Sequence, residues 1–306
     1  MHLVPTQKIW KNGALIPWDQ AVTHVATHSL HYGSGIYEGI RAYKTADGPA
    51  MFRLTDHMKR FQRSAKIINM ALPYDLNTLV AACKETVRST GLESCYVRPL
   101  GFFGYGYMSP TTHQCPVDVA IICWPWEEIE GFSDPTAGLK LKVSSWQRHD
   151  HNTLPPMAKT TGGYVTGSLA KAEALNGGYS DAILLNRHGH IAECTTENIF
   201  VVRNGIIFTP PHSAGALEGL TQDTVRAIAD DLNYEVRVSE LTRTDLYVAD
   251  EIFVCGTASE VTAVASVDDR DVPCVGPITK LVSEAYHRIV RGEDERYLGW
   301  VEHANE

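Results

Sequence analysis

The sequence predicts an α/β protein with two domains. Short apolar runs with strand character alternate with helical periodicities along most of the chain. A polar, turn-rich segment without either period, residues 127–138, separates these elements into two groups. The chain has 306 residues, of which 44% are hydrophobic, and this is enough to build two cores. We therefore expect an N-terminal α/β domain over residues 1–126, an interdomain loop over 127–138 and a larger C-terminal α/β domain over 139–306.

The first domain is predicted to combine hairpins with helices. An Asn-Gly pair between two apolar segments predicts a tight hairpin over residues 8–18, and a second hairpin is expected over 40–54. Apolar side chains recur at helical spacing over residues 55–68, where Thr55 is the expected N-cap. The other expected elements of this domain are a helix over 76–89 and strands over 95–103 and 117–124.

The second domain alternates strands with helices, which is typical of an α/β arrangement. Its expected strands cover residues 139–146, 180–185, 191–202, 206–209 and 250–254. Its expected helices cover residues 163–176, 221–233 and 277–291.

Charge and cysteine content restrict the class of partner and the compartment. The net charge is −9 without a basic cluster, so neither nucleic acid nor an anionic membrane is an expected partner, and small molecules are. The seven cysteines include no C-x-x-C pair, which argues against a disulfide framework and fits a reducing cytoplasm. Apolar runs stay shorter than the roughly 18 residues of a membrane span, so we expect a cytoplasmic protein.

Two tempting motifs are set aside. Residues 33–39 space their glycines almost as a dinucleotide-binding loop does, but a buried strand does not precede them and a hairpin strand follows. Histidines cluster at His24, His28 and His31, and His149 and His151 flank an aspartate. Without a supporting set of carboxylates, however, such clusters are more often structural than metal-binding. We expect no metal site.

Two glycine turns are candidates for binding a phosphate. Gly219 precedes Leu220 and Thr221 at the start of an amphipathic helix, whose N-terminal amides and dipole suit an anion. The alternative is that these residues only cap the helix. A similar turn, Gly256 to Ala258, follows the apolar strand that ends near residue 254.

A lysine and a carboxylate complete the pattern. Lys159 lies among prolines, threonines and glycines in residues 155–164, where an ordinary loop lysine would be a solvated surface residue. Glu193 lies in an apolar strand, so it must pair with an arginine, cap an amide or meet a cationic ring nitrogen. Together with Arg60 on a helix and the two glycine turns, these residues suggest a pyridoxal phosphate site.

The order of these motifs also resembles a known family. From "IWKNGALIPWDQAVTHVATHSLHYGSGIYEGIRAY" through "FRLTDHMKRF", "SCYVRPL", "SSWQRHDHNTLPPMAKTTGGY", "TTENIFVV", "GALEGLTQDTV", "LYVADEIFVCGTASEVTAV" and "GPITK", the chain is similar to the class IV, or fold type IV, pyridoxal phosphate enzymes. It most resembles the branched-chain amino acid aminotransferases. The resemblance implies two α/β domains of fold type IV joined by an interdomain loop, with pyridoxal 5′-phosphate as cofactor.

The resemblance assigns roles to individual residues. It implies that Lys159 binds the cofactor as a Schiff base and is the catalytic residue, that Glu193 meets the pyridine nitrogen, and that Tyr164 contacts the ring hydroxyl. The residues implied to hold the phosphate are Arg60, Leu220, Thr221, Gly256 and Thr257. Those implied to contact the substrate are Tyr96, Arg98, Thr257 and Ala258 at its carboxylate, and Tyr32, Tyr37 and Trp126 as pocket walls.

The implied reaction moves the amino group of L-leucine, L-isoleucine or L-valine to 2-oxoglutarate in a ping-pong cycle. The family also implies at least a homodimer, in which the loop over residues 105–110 closes the neighbouring active site. Two stretches depart from the family pattern, Tyr-Met-Ser-Pro at 107–110 and Glu-Glu-Ile at 127–129, and both border the substrate in relatives. These departures therefore concern the substrate range and not the reaction type.

Several alternatives remain open. An (R)-amine or D-amino acid transaminase, or an aminodeoxychorismate lyase, would use the same lysine and glutamate, but the intact Tyr-Val-Arg-Pro motif over residues 96–99 disfavours them. A metal-dependent hydrolase would use His149, Asp150 and His151. A catalytically silent binding protein would explain the glycine turns but would give no reason for Lys159.

Overall fold

The computed structural model describes residues 3–126, 138–273 and 275–305. Two compact units are formed by discontinuous stretches of chain. The first consists of Met1–Glu127, Ala158–Gly162 and Arg288–Glu306, and the second of Glu128–Met157 and Gly163–His287.

Strands and helices are numbered in chain order. The strands are β1 (Lys8–Lys11), β2 (Ala14–Pro17), β3 (Gly35–Tyr37), β4 (Ile40–Thr45), β5 (Gly48–Phe52), β6 (Cys95–Phe103), β7 (Val117–Pro125), β8 (Leu139–Gln147), β9 (Asp181–Leu185), β10 (Ile191–Cys194), β11 (Asn198–Arg203), β12 (Ile206–Thr209), β13 (Val236–Val238), β14 (Glu251–Gly256), β15 (Glu260–Val267), β16 (Arg270–Asp271) and β17 (Val301–His303). The α-helices are α1 (His28–Tyr32), α2 (Leu54–Ile67), α3 (Leu76–Thr90), α4 (Tyr164–Asn176), α5 (Leu220–Asp231), α6 (Arg243–Tyr247) and α7 (Pro277–Val290).

An antiparallel sheet organises the first unit. Its strand order is β17-β5-β4-β6-β7-β1-β2, with β3 paired to β6. Both predicted hairpins are confirmed: β1 and β2 are joined through Asn12 and Gly13, whose positive φ angles of 49° and 96° explain the choice of these residues, and β4 pairs with β5. Helices α2 and α3 contribute Phe61 and Leu79, both fully buried, to the core of this unit.

Helix α2 starts differently from the prediction. It begins at Leu54, after Arg53 in the left-handed region at φ 54°, so Thr55 is not its N-cap. The amide and the hydroxyl of Thr55 instead donate to the carboxylate of Glu302, each at 2.7 Å. A partner 247 positions away in the sequence thus replaces the expected local cap.

The first unit includes residues that the sequence analysis placed in the second domain. Thr160 forms a β-bridge with Ile36, and β17 extends the sheet by pairing with β5. Residues 158–162 and 288–306 therefore belong to the first unit because their backbone hydrogen bonds are made there, although the prediction grouped them with residues 139–306. The predicted interdomain loop lies outside the described residues, apart from Gly138, and its role stays a prediction.

A mixed sheet organises the second unit. Its strand order is β10-β9-β8-β15-β14-β11-β12-β13, with β16 paired to β15. Strand β8 runs parallel to both neighbours, β9 and β15. Helix α4 packs against β8 and β9, and α5 packs against β14. The predicted helices α4, α5 and α7 are confirmed to within two residues at each end.

The prediction of one continuous strand over residues 191–202 is wrong. A turn closed by a 2.8 Å hydrogen bond from the Cys194 amide to the Glu197 carbonyl separates β10 from β11. Strand β10 pairs with β9, whereas β11 pairs with β14 and β12. The apolar run hides the turn because both strands are buried along almost their whole length.

Two further observations bear on the environment of the chain. Among the described residues, no helix combines the length and the apolar character needed to cross a bilayer. Cys83, Cys95, Cys115, Cys123, Cys194 and Cys255 are free thiols, and Cys274 lies outside the described residues.

Candidate active site

Lys159 is tied to the first unit by its backbone. Its amide donates to Ser64 Oγ at 3.0 Å, and its carbonyl accepts from the Tyr37 amide at 3.0 Å. Its side-chain Nζ lies 5.0 Å from the centre of the Tyr37 ring. Lys159 is half-buried, so it is not the solvated loop residue that its composition alone would suggest. The Tyr37 ring therefore lies beside the side-chain amine of Lys159.

The glycines near Lys159 allow two stretches of backbone to touch. A Cβ on Gly162 would lie 3.0 Å from the Gly33 carbonyl oxygen, and a Cβ on Gly33 would lie 2.9 Å from the Gly162 Cα. Thr161 adds a hydrogen bond from its hydroxyl to the Gly33 carbonyl at 3.0 Å. The small residues thus fix the segment that carries Lys159 against the start of β3.

Arg60 lies in a buried cluster of charged side chains. Its Nε donates to Glu38 Oε1 at 2.7 Å and its Nη2 donates to Glu38 Oε2 at 2.8 Å. Burial raises the pKa of Glu38, but the charges and hydrogen bonds of Arg60 and His57 outweigh it and hold that pKa below its usual range. His57 Nδ1 lies 2.7 Å from Glu38 Oε2, and its pKa is lowered by burial and by the nearby charges of Arg60 and Lys159.

Sequence reasoning missed Glu38 and His57. The spacing of His57 and Arg60, three residues apart on α2, places both on the same helix face. A charged residue on a buried helix face requires a partner of opposite charge. The spacing of His57 and Arg60 could therefore have indicated that a carboxylate lies nearby.

Four of the predicted substrate contacts come together in the first unit. Tyr96 and Arg98 alternate on β6 and so share one face. The Arg98 guanidinium carbon lies 4.6 Å from the Tyr37 ring centre and 5.2 Å from that of Tyr96. The Tyr96 ring stacks on Trp126 at 5.2 Å between centroids. The result is a cationic group surrounded by aromatic faces.

Gly39 and Tyr32 also bear on the predicted substrate contacts of the first unit. A Cβ on Gly39 would lie 1.9 Å from the Tyr96 hydroxyl, so only glycine leaves space for that hydroxyl. Tyr32, the fifth predicted contact from this unit, is 48% exposed and its ring lies against His28 at 4.5 Å. Its role as a pocket wall stays a prediction.

The side-chain oxygens of Glu193 accept hydrogen bonds from three groups of the second unit. Its Oε1 lies 2.7 Å from Arg148 Nη2, and its Oε2 accepts from the Leu217 amide at 2.9 Å and from Asn198 Nδ2 at 3.4 Å. Arg148 also donates through Nε to the Gly215 carbonyl at 2.9 Å. A carboxylate has about four acceptor sites, so these three donors leave capacity for one more.

Arg148 was not among the predicted site residues. The sequence analysis did consider that Glu193 pairs with an arginine, and the structure shows such a pair. The two side chains are only 9% and 8% exposed, so the arginine offsets the cost of burying the carboxylate. Pairing with Arg148 does not exclude the ring-nitrogen role, since an acceptor site remains.

The histidines that follow Arg148, which the hydrolase alternative would use, have separate surroundings. His149 has a pKa of about 4, because burial and the charge of Arg148 disfavour its protonated form. Asp150 pairs with Arg187 at 3.3 Å, and His151 Nε2 lies 3.1 Å from the Ser213 carbonyl oxygen. Among residues 3–126, 138–273 and 275–305, no three His, Cys, Asp or Glu side chains are grouped to hold a metal ion.

Asn198 brings the two predicted phosphate turns side by side. It is the register partner of Cys255, the residue before Gly256. A Cβ on Gly219 would lie 1.9 Å from Asn198 Oδ1, so the turn that precedes α5 fits against Asn198 only with glycine. Gly219, the N-cap residue of α5, has no side chain to cap the helix, and the N-terminus of a helix suits an anion.

The second turn contains a buried hydroxyl without a described partner. Thr257 and Ala258 are half-buried between β14 and β15, and Ser259 is buried. Ser259 Oγ has no hydrogen-bond partner among the described residues. A Cβ on Gly256 would approach that oxygen to 3.1 Å. Thr221, in the first turn of α5, is buried as well.

Tyr164 is the first residue of α4 and lines a cavity of about 440 Å³ in the second unit. Lys171, Thr195 and Glu197 line the same cavity. The pKa of Glu197 is raised to about 8 by its burial and by the neighbouring charge of Asp181. The contact of Tyr164 with a cofactor ring stays a prediction.

Comparison with known proteins identifies relatives along almost the whole chain. The family model "Amino-transferase class IV" matches residues 35–267. The branched-chain-amino-acid aminotransferase of Escherichia coli (strain K12) is 40% identical over 304 residues, which cover 97% of each protein. The crystal structure of the Escherichia coli enzyme is 39% identical, with a TM-score of 0.95 and coverage of 98% of this chain and 100% of that one. The enzyme from Thermoproteus uzoniensis with norvaline gives 40% identity, a TM-score of 0.94 and coverage of 98% and 99%.

A further solved relative carries a cofactor. This branched-chain amino acid aminotransferase, from the organism abbreviated T.th., was solved with pyridoxamine 5′-phosphate. It is 42% identical to this chain, with a TM-score of 0.95 and coverage of 99% of this chain and 100% of that one.

Proposed function

Because the chain belongs to the class IV aminotransferases, we propose that it transfers the amino group of L-leucine, L-isoleucine and L-valine to 2-oxoglutarate with pyridoxal 5′-phosphate as cofactor. The predicted family, fold type, enzyme class and cofactor are confirmed by relatives that cover nearly the full length. The (R)-amine, D-amino acid, lyase, hydrolase and silent-binder alternatives are not favoured.

The observation that carries the proposal is the environment of Glu193. Arg148 and the Leu217 amide bind the buried carboxylate, and one acceptor site remains that would take the protonated ring nitrogen of the cofactor. The other parts of the second unit also fit the group. The N-cap residue of α5 is Gly219, which has no side chain to cap the helix, and the turn at Gly256 contains the Ser259 hydroxyl, which has no partner among the described residues.

The bound cofactor supplies an electron sink for the bonds at the substrate α-carbon. With the cofactor bound, Lys159 Nζ would hold its aldehyde carbon, and once the substrate's amine has taken the place of Lys159 there, the same Nζ would move the proton of the substrate α-carbon. Tyr164 would contact the ring hydroxyl. The residues that would hold the phosphate are Arg60 and the amides at Leu220, Thr221, Gly256 and Thr257, since such amides and helix ends bind anions.

Substrate binding is assigned to the aromatic cluster around Arg98. The Arg98 guanidinium and the Tyr96 hydroxyl bind a carboxylate, helped by the amides of Thr257 and Ala258. Tyr32, Tyr37 and Trp126 form walls for an apolar side chain. The Tyr-Met-Ser-Pro stretch at 107–110 is expected to widen the range towards aromatic amino acids. The Glu-Glu-Ile stretch at 127–129 lies outside the described residues.

A second copy of the chain is the proposed partner. Five apolar or aromatic side chains of the first unit are exposed near the predicted subunit-crossing loop: Val25, Leu30, Tyr32, Tyr105 and Met108. A bridge between Thr27 and Tyr105 joins the two segments that carry them. Exposed apolar clusters of this kind mark protein interfaces, which supports a homodimer. The cytoplasmic location expected from the cysteines stays a prediction.

The test compares three amino donors on the purified protein. We expect a visible absorbance band that borohydride abolishes, and the highest kcat/KM for L-leucine when compared with D-alanine and (R)-1-phenylethylamine. A colourless protein whose activity is lost with a chelator would indicate a hydrolase. A better rate with D-alanine or the amine would refute the branched-chain assignment. Light scattering that gives a monomer mass for the active enzyme would refute the dimer.

A further inference from the structure

The loop between β14 and β15 is closed by a glutamate in an uncommon backbone conformation. Gly256 and Glu260 are register partners, so the hairpin loop between them has three residues. A loop of this length typically ends in a left-handed residue, and glycine is the usual choice there. Here the position is filled by Glu260, whose φ is 53°. Because a β-carbon makes this conformation costly, Glu260 needs a compensating contact.

The length of this side chain sets Glu260 apart from similar positions. In the described part of the chain, the other left-handed positions outside glycine are mostly filled by asparagine or aspartate, such as Asn204 and Asp268. Those short side chains can bond their own backbone, which lowers the cost of the conformation. The carboxylate of Glu260 instead contacts a different element, helix α7.

Helix α7 holds the end of the loop through two contacts. His287 Nε2 lies 3.0 Å from Glu260 Oε2, and the two side chains are 38% and 18% exposed. One helical turn earlier on the same face, the Ser283 hydroxyl donates to the Val261 carbonyl at 3.3 Å. The first two residues of β15 are therefore both attached to one helix.

The loop that these contacts hold contains the residues assigned to an anion. Thr257 and Ala258 lie half-buried in it, and the Ser259 carbonyl accepts from the Thr262 hydroxyl at 2.5 Å. Backbone amides bind an anion most strongly when their directions are fixed before the anion arrives. Contacts that fix the loop therefore also fix its amides.

We propose that Glu260, paired with His287, is a positioning residue that holds the amides of Thr257 and Ala258 in the direction that binds the substrate carboxylate. This inference rests on the proposed function, in which those amides bind that carboxylate. The pair and the loop belong to the second unit. Breaking the pair should weaken the binding of a carboxylate and leave the binding of an uncharged analogue unchanged.

The experiment uses the enzyme loaded with its cofactor and two inhibitors of the same shape. One is 4-methylvaleric acid, which is leucine without its amino group, and the other is the uncharged amide of that acid. Inhibition constants against L-leucine give the preference for the carboxylate. Glu260→Gly keeps the left-handed conformation and removes the pair. In this variant the preference should fall by about threefold to fivefold, a size that one partly exposed ion pair can supply, while the amide binds as in the wild type.

Three further variants test the pair and the backbone separately. His287→Phe should lower the preference as Glu260→Gly does, because it removes the pair from the helix side. Glu260→Gln should retain most of the preference, since its oxygen still accepts from His287. Asn204→Gly is the matched control, because it introduces glycine at a left-handed position in the hairpin between β11 and β12. Its preference should equal that of the wild type.

The outcomes separate the inference from the proposed function. A wild type that shows no preference for the acid, or binds neither compound, would refute the proposed carboxylate site and with it this inference. A wild-type preference that Glu260→Gly and His287→Phe leave unchanged would refute the inference alone. Equal losses for the acid and the amide would also refute it and make Glu260 a structural residue. Should Glu260→Gly fail to fold, His287→Phe decides in the same way, since that side chain is partly exposed.

Discussion

Replacing Glu193 by glutamine keeps the shape of the side chain and removes its charge. Both oxygens of Glu193 accept hydrogen bonds, one from Arg148 and the other from the Leu217 amide and Asn198. The glutamine side chain has only one oxygen, so its amide nitrogen must face either Arg148 or the pair formed by the Leu217 amide and Asn198. Whichever way the amide turns, at least one buried donor loses its acceptor.

The cost can be worked from this geometry. Breaking a buried ion pair costs about 3 to 5 kcal/mol when one charged partner remains. Arg148 is only 9% exposed and keeps one acceptor, the Gly215 carbonyl at 2.9 Å, so the lower end of that range applies. A loss of about 3 kcal/mol corresponds to a decrease of roughly 6 to 12 °C in the melting temperature of a unit of this size.

The catalytic consequence is separate from the stability loss. A neutral amide does not favour a protonated ring nitrogen, so the single-turnover rate of α-proton removal should fall by about a hundredfold to a thousandfold. Cofactor affinity should remain measurable, because the phosphate contacts are intact. Stopped-flow mixing of the loaded enzyme with L-leucine measures the rate, and thermal unfolding of the apoprotein measures the stability.

A second substitution serves as the control. In the double variant Glu193→Gln with Arg148→Met, the unpaired guanidinium is gone, so part of the lost stability should return while the rate stays low. A Glu193→Gln protein that melts within about 1 °C of the wild type and retains its single-turnover rate would refute both the burial argument and the assignment of Glu193.

Four further predictions concern other residues. Lys159→Ala should fold and retain cofactor but show little or no transamination, and near wild-type turnover would refute the assignment of Lys159. Arg98→Ala should lower kcat/KM for L-leucine by about tenfold to a hundredfold and affect (R)-1-phenylethylamine much less; equal losses for both would contradict the carboxylate role. Gly219→Ala would place a Cβ 1.9 Å from Asn198 Oδ1 and should weaken cofactor binding, so an unchanged dissociation constant would argue against the turn at α5. The pKa of Glu197 rises from 4.5 to about 8 on folding, so the stability it contributes is fully present below pH 4.5 and is lost as the pH rises through 8. Melting temperatures between about pH 5 and pH 9 should show this decline in the wild type and less of it in Glu197→Gln; equal slopes would contradict it.

Local patterns predicted the regular elements well. Strand β6 has the predicted bounds, and the Asn12-Gly13 hairpin follows from two residues that tolerate positive φ. Both rest on short-range chemistry, namely strand propensity and turn conformation. The predictions were wrong where tertiary contacts override strand propensity and turn conformation. Thr55 was expected to cap a helix, but the Glu302 carboxylate takes its amide and hydroxyl.

The candidate site could be predicted only in part for the same reason. Lys159 and Glu193 belong to short motifs that a family resemblance can identify. The partners that hold the charged site residues, Arg148 and Glu38, lie 45 and 22 positions from Glu193 and Arg60 in the sequence, and no local period connects them. Burial requires a counter-charge but does not say which residue supplies it.

The pairing of β17 with β5 has a consequence for how the protein is made. All residues of the second unit, whose last stretch is Gly163–His287, are synthesised before residues 288–306. At that stage the sheet of the first unit still lacks β17. Strand β5 then presents an open edge to the solvent during translation, and such edges recruit other strands. The unit that emerges first from the ribosome is thus the one that is finished last. Chains that stall within α7 should be the ones that depend on chaperones.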